Sequence, residues 1–258
     1  MSGTVPGLIL DWGQDMKTTF FFATFIASIG AAYATTITIV PATGIANAVA
    51  DENAWITANF PSGDTASLVE TFETYGYGPY NQLATGAGTF VAVPGGLGSN
   101  ASGTGTDQFT ILNSSDTPFN GRYNTTPGGN NWLDSNDITD LQLNTSLSNV
   151  YFFITDVNDT GGVLTMKTQD GTTSSSFATP GYNGEIYFVG ISSSGPIGNI
   201  QWLNTSQGDG YGLDDFGTVK SSSVTSTPEP ANWLMASSGL LILLGAVRLR
   251  MRAAGSSR

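Results

Sequence analysis

From residue 35 to residue 219 the chain consists of short β-branched and aromatic runs broken by Gly, Asn and Asp, with almost no helical periodicity. That punctuation constrains the fold more than any other feature. Residues 149–155, 162–168, 185–191 and 199–203 read as strands, as do 68–73, 88–93, 107–112 and a last one around 213–216. The breaks at residues 158–162, Asp170-Gly171 and Gly208-Asp209-Gly210 use residues that tolerate positive φ. Strands joined without intervening amphipathic helices imply an all-β fold, a β-sandwich or jelly roll, over residues 35–220. One short helix is expected at 45–51, with Trp55 packing beneath it. Residues 95–106 read as a low-complexity loop and 221–227 as a flexible linker.

The chemistry open to such a body is narrow. The 258 residues include no Cys and no His. Thiol and histidine catalysis, disulfides, and most zinc and iron–sulfur sites are thereby excluded. Lys and Arg number 8 against 20 Asp and Glu, for a net charge of −12. A basic nucleic-acid footprint is excluded as well. The charges are also segregated. Between residues 35 and 225 three cations face 17 carboxylates, whereas Lys17 precedes an apolar run and Arg248, Arg250, Arg252 and Arg258 close the chain. This layout suits membrane-handling segments flanking an acidic body.

Both ends fit that reading. A short positive region, an apolar stretch and the small-x-small site Ala32-Tyr33-Ala34 predict a secretory signal peptide over 16–34, cleaved after Ala34. Asp11 and Asp15 do not suit a positive leader, so residues 1–15 are either a start-site artefact or an extended n-region. At the other end, residues 231–247 would form a single C-terminal transmembrane helix, about 26 Å long and just able to cross a bilayer. Arg248, Arg250 and Arg252 would keep its far end in the cytoplasm and the body outside.

The triplet Pro228-Glu229-Pro230, the apolar helix and the Arg-rich end, in that order, resemble the PEP-CTERM sorting signal, a segment also labelled the ice-binding protein C-terminal domain. The resemblance covers residues 228–258, and Thr227 stands where the family often has Val. It implies a Gram-negative source that makes exopolysaccharide, passage through the Sec translocon, and cleavage by signal peptidase. It further implies transient anchoring in the inner membrane and removal of the tail by an exosortase. The product would sit at the cell surface or outside the cell, with exopolysaccharide as a partner. Antifreeze activity does not follow. Residues 119–133 and 151–156 resemble segments in the bodies of such exported proteins and supply no activity.

Three acidic turns are candidates for chemistry: residues 134–140, Asp156 with Asp159, and Asp209 with Asp214 and Asp215. Oxygen-only clusters suit Ca2+; the plain alternative is that Asp and Asn cap turns. Phe72-Glu73 and Leu213-Asp214-Asp215-Phe216 resemble the first and last strands of carbohydrate-binding jelly rolls, which pair with a structural calcium between their carboxylates. That resemblance implies Glu73, Asp214 and Asp215 as ligands, with Asp156 and Asp159 as a second site. Tyr75, Tyr77 and Tyr80, in a Gly- and Pro-containing turn, and Trp132 are the candidates for stacking on sugar rings; Tyr123, Tyr182 and Tyr211 lie in similar turns. Trp202, inside an apolar strand, is expected in the core.

Catalysis would fall to carboxylates, and no pair declares itself. Glu70 and Glu73, three apart on a strand, would point to opposite faces. The expected protein is not an enzyme but an exported structural or adhesive, glycan-binding β-sandwich. The alternative is a carboxylate-dependent polysaccharide-active enzyme.

Overall fold

The computed structural model describes residues 33–95, 107–116 and 118–221. The leader through Ala32, most of the 95–106 loop, and the linker and tail from residue 222 lie outside the described residues. So do Pro228, Glu229, Pro230, Arg248, Arg250 and Arg252. No described helix is long and apolar enough to cross a membrane.

In chain order the elements are β1 (Thr35–Ala42), α1 (Ile45–Asn59), β2 (Thr65–Glu70), β3 (Gly78–Tyr80), β4 (Gln82–Thr85), β5 (Gly88–Ala92) and β6 (Phe109–Leu112). They continue as β7 (Trp132–Asp134), β8 (Asp140–Thr145), β9 (Asn149–Thr155), β10 (Leu164–Thr168), β11 (Thr173–Ser174), β12 (Ile186–Ser193), β13 (Gly198–Asn204) and β14 (Gly212–Lys220). The described strands form two antiparallel sheets. One runs β1-β12-β9-β14-β7-β6-β3, with β2 paired to the far half of β14. The other runs β11-β10-β13-β8-β5-β4. Their facing side chains meet: Trp202 lies 5.6 Å from Phe152 and Phe90 lies 5.3 Å from Phe216 between ring centroids. This is the all-β, two-sheet arrangement that the turn punctuation implies.

The two sheets differ in how they are covered. The six-stranded sheet has one dry face, and its strands alternate accordingly. In β8, Leu141 and Leu143 are fully buried, while Gln142 and Asn144 point outward. The larger sheet is covered on both faces. Val150, Phe152 and Ile154 of β9 enter the main core, and Tyr151 and Phe153 pack on the opposite side under α1. Hence β9 reads as an unbroken apolar run.

α1 is longer than the 45–51 turn expected from sequence, and Trp55 belongs to it rather than lying beneath it. Its Ala- and Asn-rich sequence carries a weak apolar stripe, so packing on the sheet sets its length. Trp55 sits over Gly190 of β12, where any Cβ would overlap the indole, and lies 5.8 Å from Phe188.

Two strand ends also depart from expectation. β2 stops at Glu70, and buried Phe72 turns the chain with φ +59°. In β14, Leu213 and Phe216 both enter the main core despite their odd spacing. A bulge between Asp214 and Gly217, with Asp215 at φ +59°, absorbs the extra residue.

Candidate functional site

β2 and β14 do lie side by side, but their carboxylates serve a loop. Glu73 is exposed in the turn after β2, and its Oε1 accepts the N–H groups of Asn130 (2.7 Å) and Asn131 (2.9 Å). Asp214, 1% exposed, accepts those of Thr125 (2.7 Å) and Thr126 (3.1 Å). Asp215 accepts the Thr126 hydroxyl at 3.0 Å. Burial pushes the Asp214 carboxyl up to about 7 even against these amides. Glu73, Asp214 and Asp215 are therefore not brought together as a calcium set, because amides and hydroxyls of the 124–131 loop supply the partners. Among the described residues no group of three or more Asp or Glu is placed to hold a metal ion.

The acidic turns converge instead on Arg122. Its Nη1 donates to Asp134 and its Nη2 to Asp137 (3.1 Å), and its Nε lies 3.5 Å from Asp156 Oδ2. Arg122 and all three aspartates are at most 5% exposed. β7 delivers Asp134, and Asp156 follows β9 at φ +64°. A Cβ on Gly121 would overlap Asp156, and one on Gly210 would overlap Arg122 and Asp137. Burial opposes the guanidinium charge, but Asp134, Asp137 and Asp156 outweigh it and hold its pKa above the ordinary value. Burial pushes Asp156 up to about 7; the Gly184 N–H (2.9 Å) and Arg122 offset only part of this. Asp156 and Asp159 lie close enough for the charge of Asp159 to raise Asp156; Asp156 also engages Arg122 and the Gly184 N–H, and Asp159 meets Asp209. Arg122 was not among the candidate residues. Its signal was scarcity, since only three cations occur in the acidic body.

A second carboxyl cluster involves α1. Glu52 faces the Tyr151 hydroxyl and Asp215. Burial, then Asp215, push Glu52 up to about 7, against the pull of its bond with Tyr151. In the unfolded chain Glu52 loses its proton near 4.5, but in the folded chain it keeps it to about 7. Its stabilising contribution is therefore full below pH 4.5 and is lost as the pH rises towards 7. Glu52→Gln stays neutral throughout. Discounted for partial exposure, the variant is expected to be about 1–2 kcal/mol more stable than the wild type near pH 8 and about equal near pH 4. Urea unfolding at both pH values checks this; a variant less stable near pH 8 refutes it.

The candidate aromatic rings fare unevenly. Trp132 is fully buried in β7, which corrects its placement as a surface ring. Tyr80 stacks on Phe109 at 6.1 Å, and the Tyr75 hydroxyl donates to Glu70 (3.1 Å) and the Ala84 carbonyl (3.0 Å). Tyr77 and Tyr182 remain open, 58% and 76% exposed. Trp202 is in the core as expected. The outer face of the six-stranded sheet is a polar surface that sequence reasoning did not single out. Gln142 and Asn144 lie opposite Gln201 and Asn199, and Asn199 donates to Gln142 (3.3 Å) and Asn144 (3.0 Å). Beside it an open 530 Å³ cavity is lined by Pro94, Thr139, Asp140, Thr165, Leu203 and Asn204. Such a face can donate to and accept from hydroxyl groups.

The chain matches no known protein-family model and no curated protein.

Proposed function

We propose that this is an exported component of the cell surface or extracellular matrix, structural or adhesive in role, with a glycan-facing jelly-roll-like body. The reading places a signal peptide at 16–34, a transmembrane helix at 231–247, and an exosortase acting at Pro228-Glu229-Pro230. The observation that carries it is the order of segments: a cationic apolar leader, an acidic body, then the triplet, apolar run and arginines.

Two features of the body support it. The expected cleavage point falls immediately before Thr35, the first residue of β1. The Thr35 N–H already donates to Asp170 Oδ2 at 3.1 Å, so the ammonium left by cleavage would face a carboxylate. The amide face of the six-stranded sheet, with Tyr77 and Tyr182, offers exopolysaccharide uncharged hydrogen-bonding and stacking groups.

Intact mass of the protein recovered from the producing cells and their medium tests this. The expected species begins at Thr35 and ends near the Pro-Glu-Pro triplet. An untrimmed chain recovered from the cytosol overturns it. The enzyme reading draws on one observation, the elevated Glu52 facing Asp215. Turnover of a polysaccharide panel, abolished by Glu52→Gln, would establish it.

A further inference from the structure

The second acidic turn also meets Asp209, beside the Arg122 network. Asp209 is 1% exposed. Its Oδ2 accepts the Gly162 N–H at 2.7 Å, and its Oδ1 is buried with no hydrogen-bond partner. Within hydrogen-bonding reach of that carboxylate is the carboxylate of half-buried Asp159, another acceptor. The loops that carry the pair are clamped together. The Thr160 hydroxyl donates to the Gly208 carbonyl at 2.8 Å, and Asn204 Nδ2 donates to the Asp209 carbonyl. A Cβ on Gly162 would overlap both Asp209 and Asn204. Beside them, three more carboxylates already share one Arg. Buried negative charge of this kind calls for a cation or a proton.

We infer that Asp159 and Asp209 hold a calcium ion between them. The donors are oxygen only, which selects a hard cation. Asp209 Oδ1 is desolvated by the fold and engaged by no donor, as a ligand atom would be. Irregular loops with two carboxylates suit the variable coordination of Ca2+ better than the strict octahedron of Mg2+, with water completing the shell. The expected affinity is that of extracellular modules, about 0.1–1 mM. A proton shared by the pair is the rival state. The inference stands apart from the export reading.

Calcium titration of the full chain, by calorimetry and by thermal unfolding, tests it, with magnesium at equal ionic strength as the control. Saturable calcium binding with a rise in the unfolding midpoint is expected. Asp159→Asn, and Asp209→Asn, which keeps an oxygen for Gly162, should each weaken binding by about tenfold or more. Asp215→Asn should leave it unchanged. No calcium response up to about 10 mM, an equal response to magnesium, or binding retained in both aspartate variants overturns the inference. So does a response lost in Asp215→Asn and kept in Asp159→Asn, which would move the ion to the helix-side cluster.

Discussion

Arg122→Met is expected to lower the unfolding free energy by about 3–5 kcal/mol at neutral pH, the cost of leaving buried carboxylates without their cation. Methionine replaces much of the apolar stem, so the loss reports charge rather than volume. Asp134 loses the guanidinium outright and is fully buried. Asp156, already raised to about 7 by burial, loses one of the groups holding it down. The Asp156 share of the deficit should therefore be present above pH 7 and vanish as the pH falls through about 7, where that carboxyl takes up its proton in both proteins. Arg122→Lys keeps the charge but loses the fork that reaches Asp134 and Asp137 together, and should sit between the two. Urea unfolding of the three proteins near neutral pH and in acid measures this. A methionine variant as stable as the wild type would show that Arg122 does not offset the buried carboxylates around it.

Sequence and structure agree where one physical signal dominates. β9, β12 and β13 were legible to within two residues, because buried strands rich in β-branched and aromatic residues leave little ambiguity. β8 was not, although Asp-Leu-Gln-Leu-Asn-Thr alternates cleanly; its polar half resembles the turn chemistry around it. β7 was hidden in the same acidic stretch. The carboxylates were legible as important and illegible as to role. Asp and Glu near turns can bind metal, cap amides or pair with Arg, and the choice depends on partners distant in sequence. Thr125 reaches Asp214 across 89 positions, and Asn130 reaches Glu73 across 57. Neither the positive φ at Phe72 nor the bulge at Asp215 is readable from the residues alone, and both lie at the carboxylates that the 124–131 loop engages.

Phe216→Ala should destabilise the domain about as much, by roughly 3–5 kcal/mol, through cavity formation. The ring stacks on Phe152 at 4.6 Å and meets Phe90 at 5.3 Å and Phe72 at 6.0 Å. It thereby joins both sheets and the turn after β2. The backbone at this point is bulged, so the ring fixes which side of β14 faces the core. Without it the strand can recover regular alternation only by turning Leu213 or Gly217 the wrong way. Gly217 cannot yield easily, since a side chain there would strike Tyr151. Phe216→Leu keeps most of the volume and should recover more than half of the loss. Phe153→Ala, on the helix side, tests whether the effect is specific. Its ring lies 6.3 Å from that of Phe188, outside the Phe72, Phe90 and Phe152 group, and its loss should spare the register of β14. Denaturant midpoints rank the variants, and amide exchange of β2 and β14 reports the register. If Phe216→Ala costs no more than about 1 kcal/mol, or if Phe153→Ala exposes the β14 amides equally, the bulge is held by its hydrogen bonds and not by the ring.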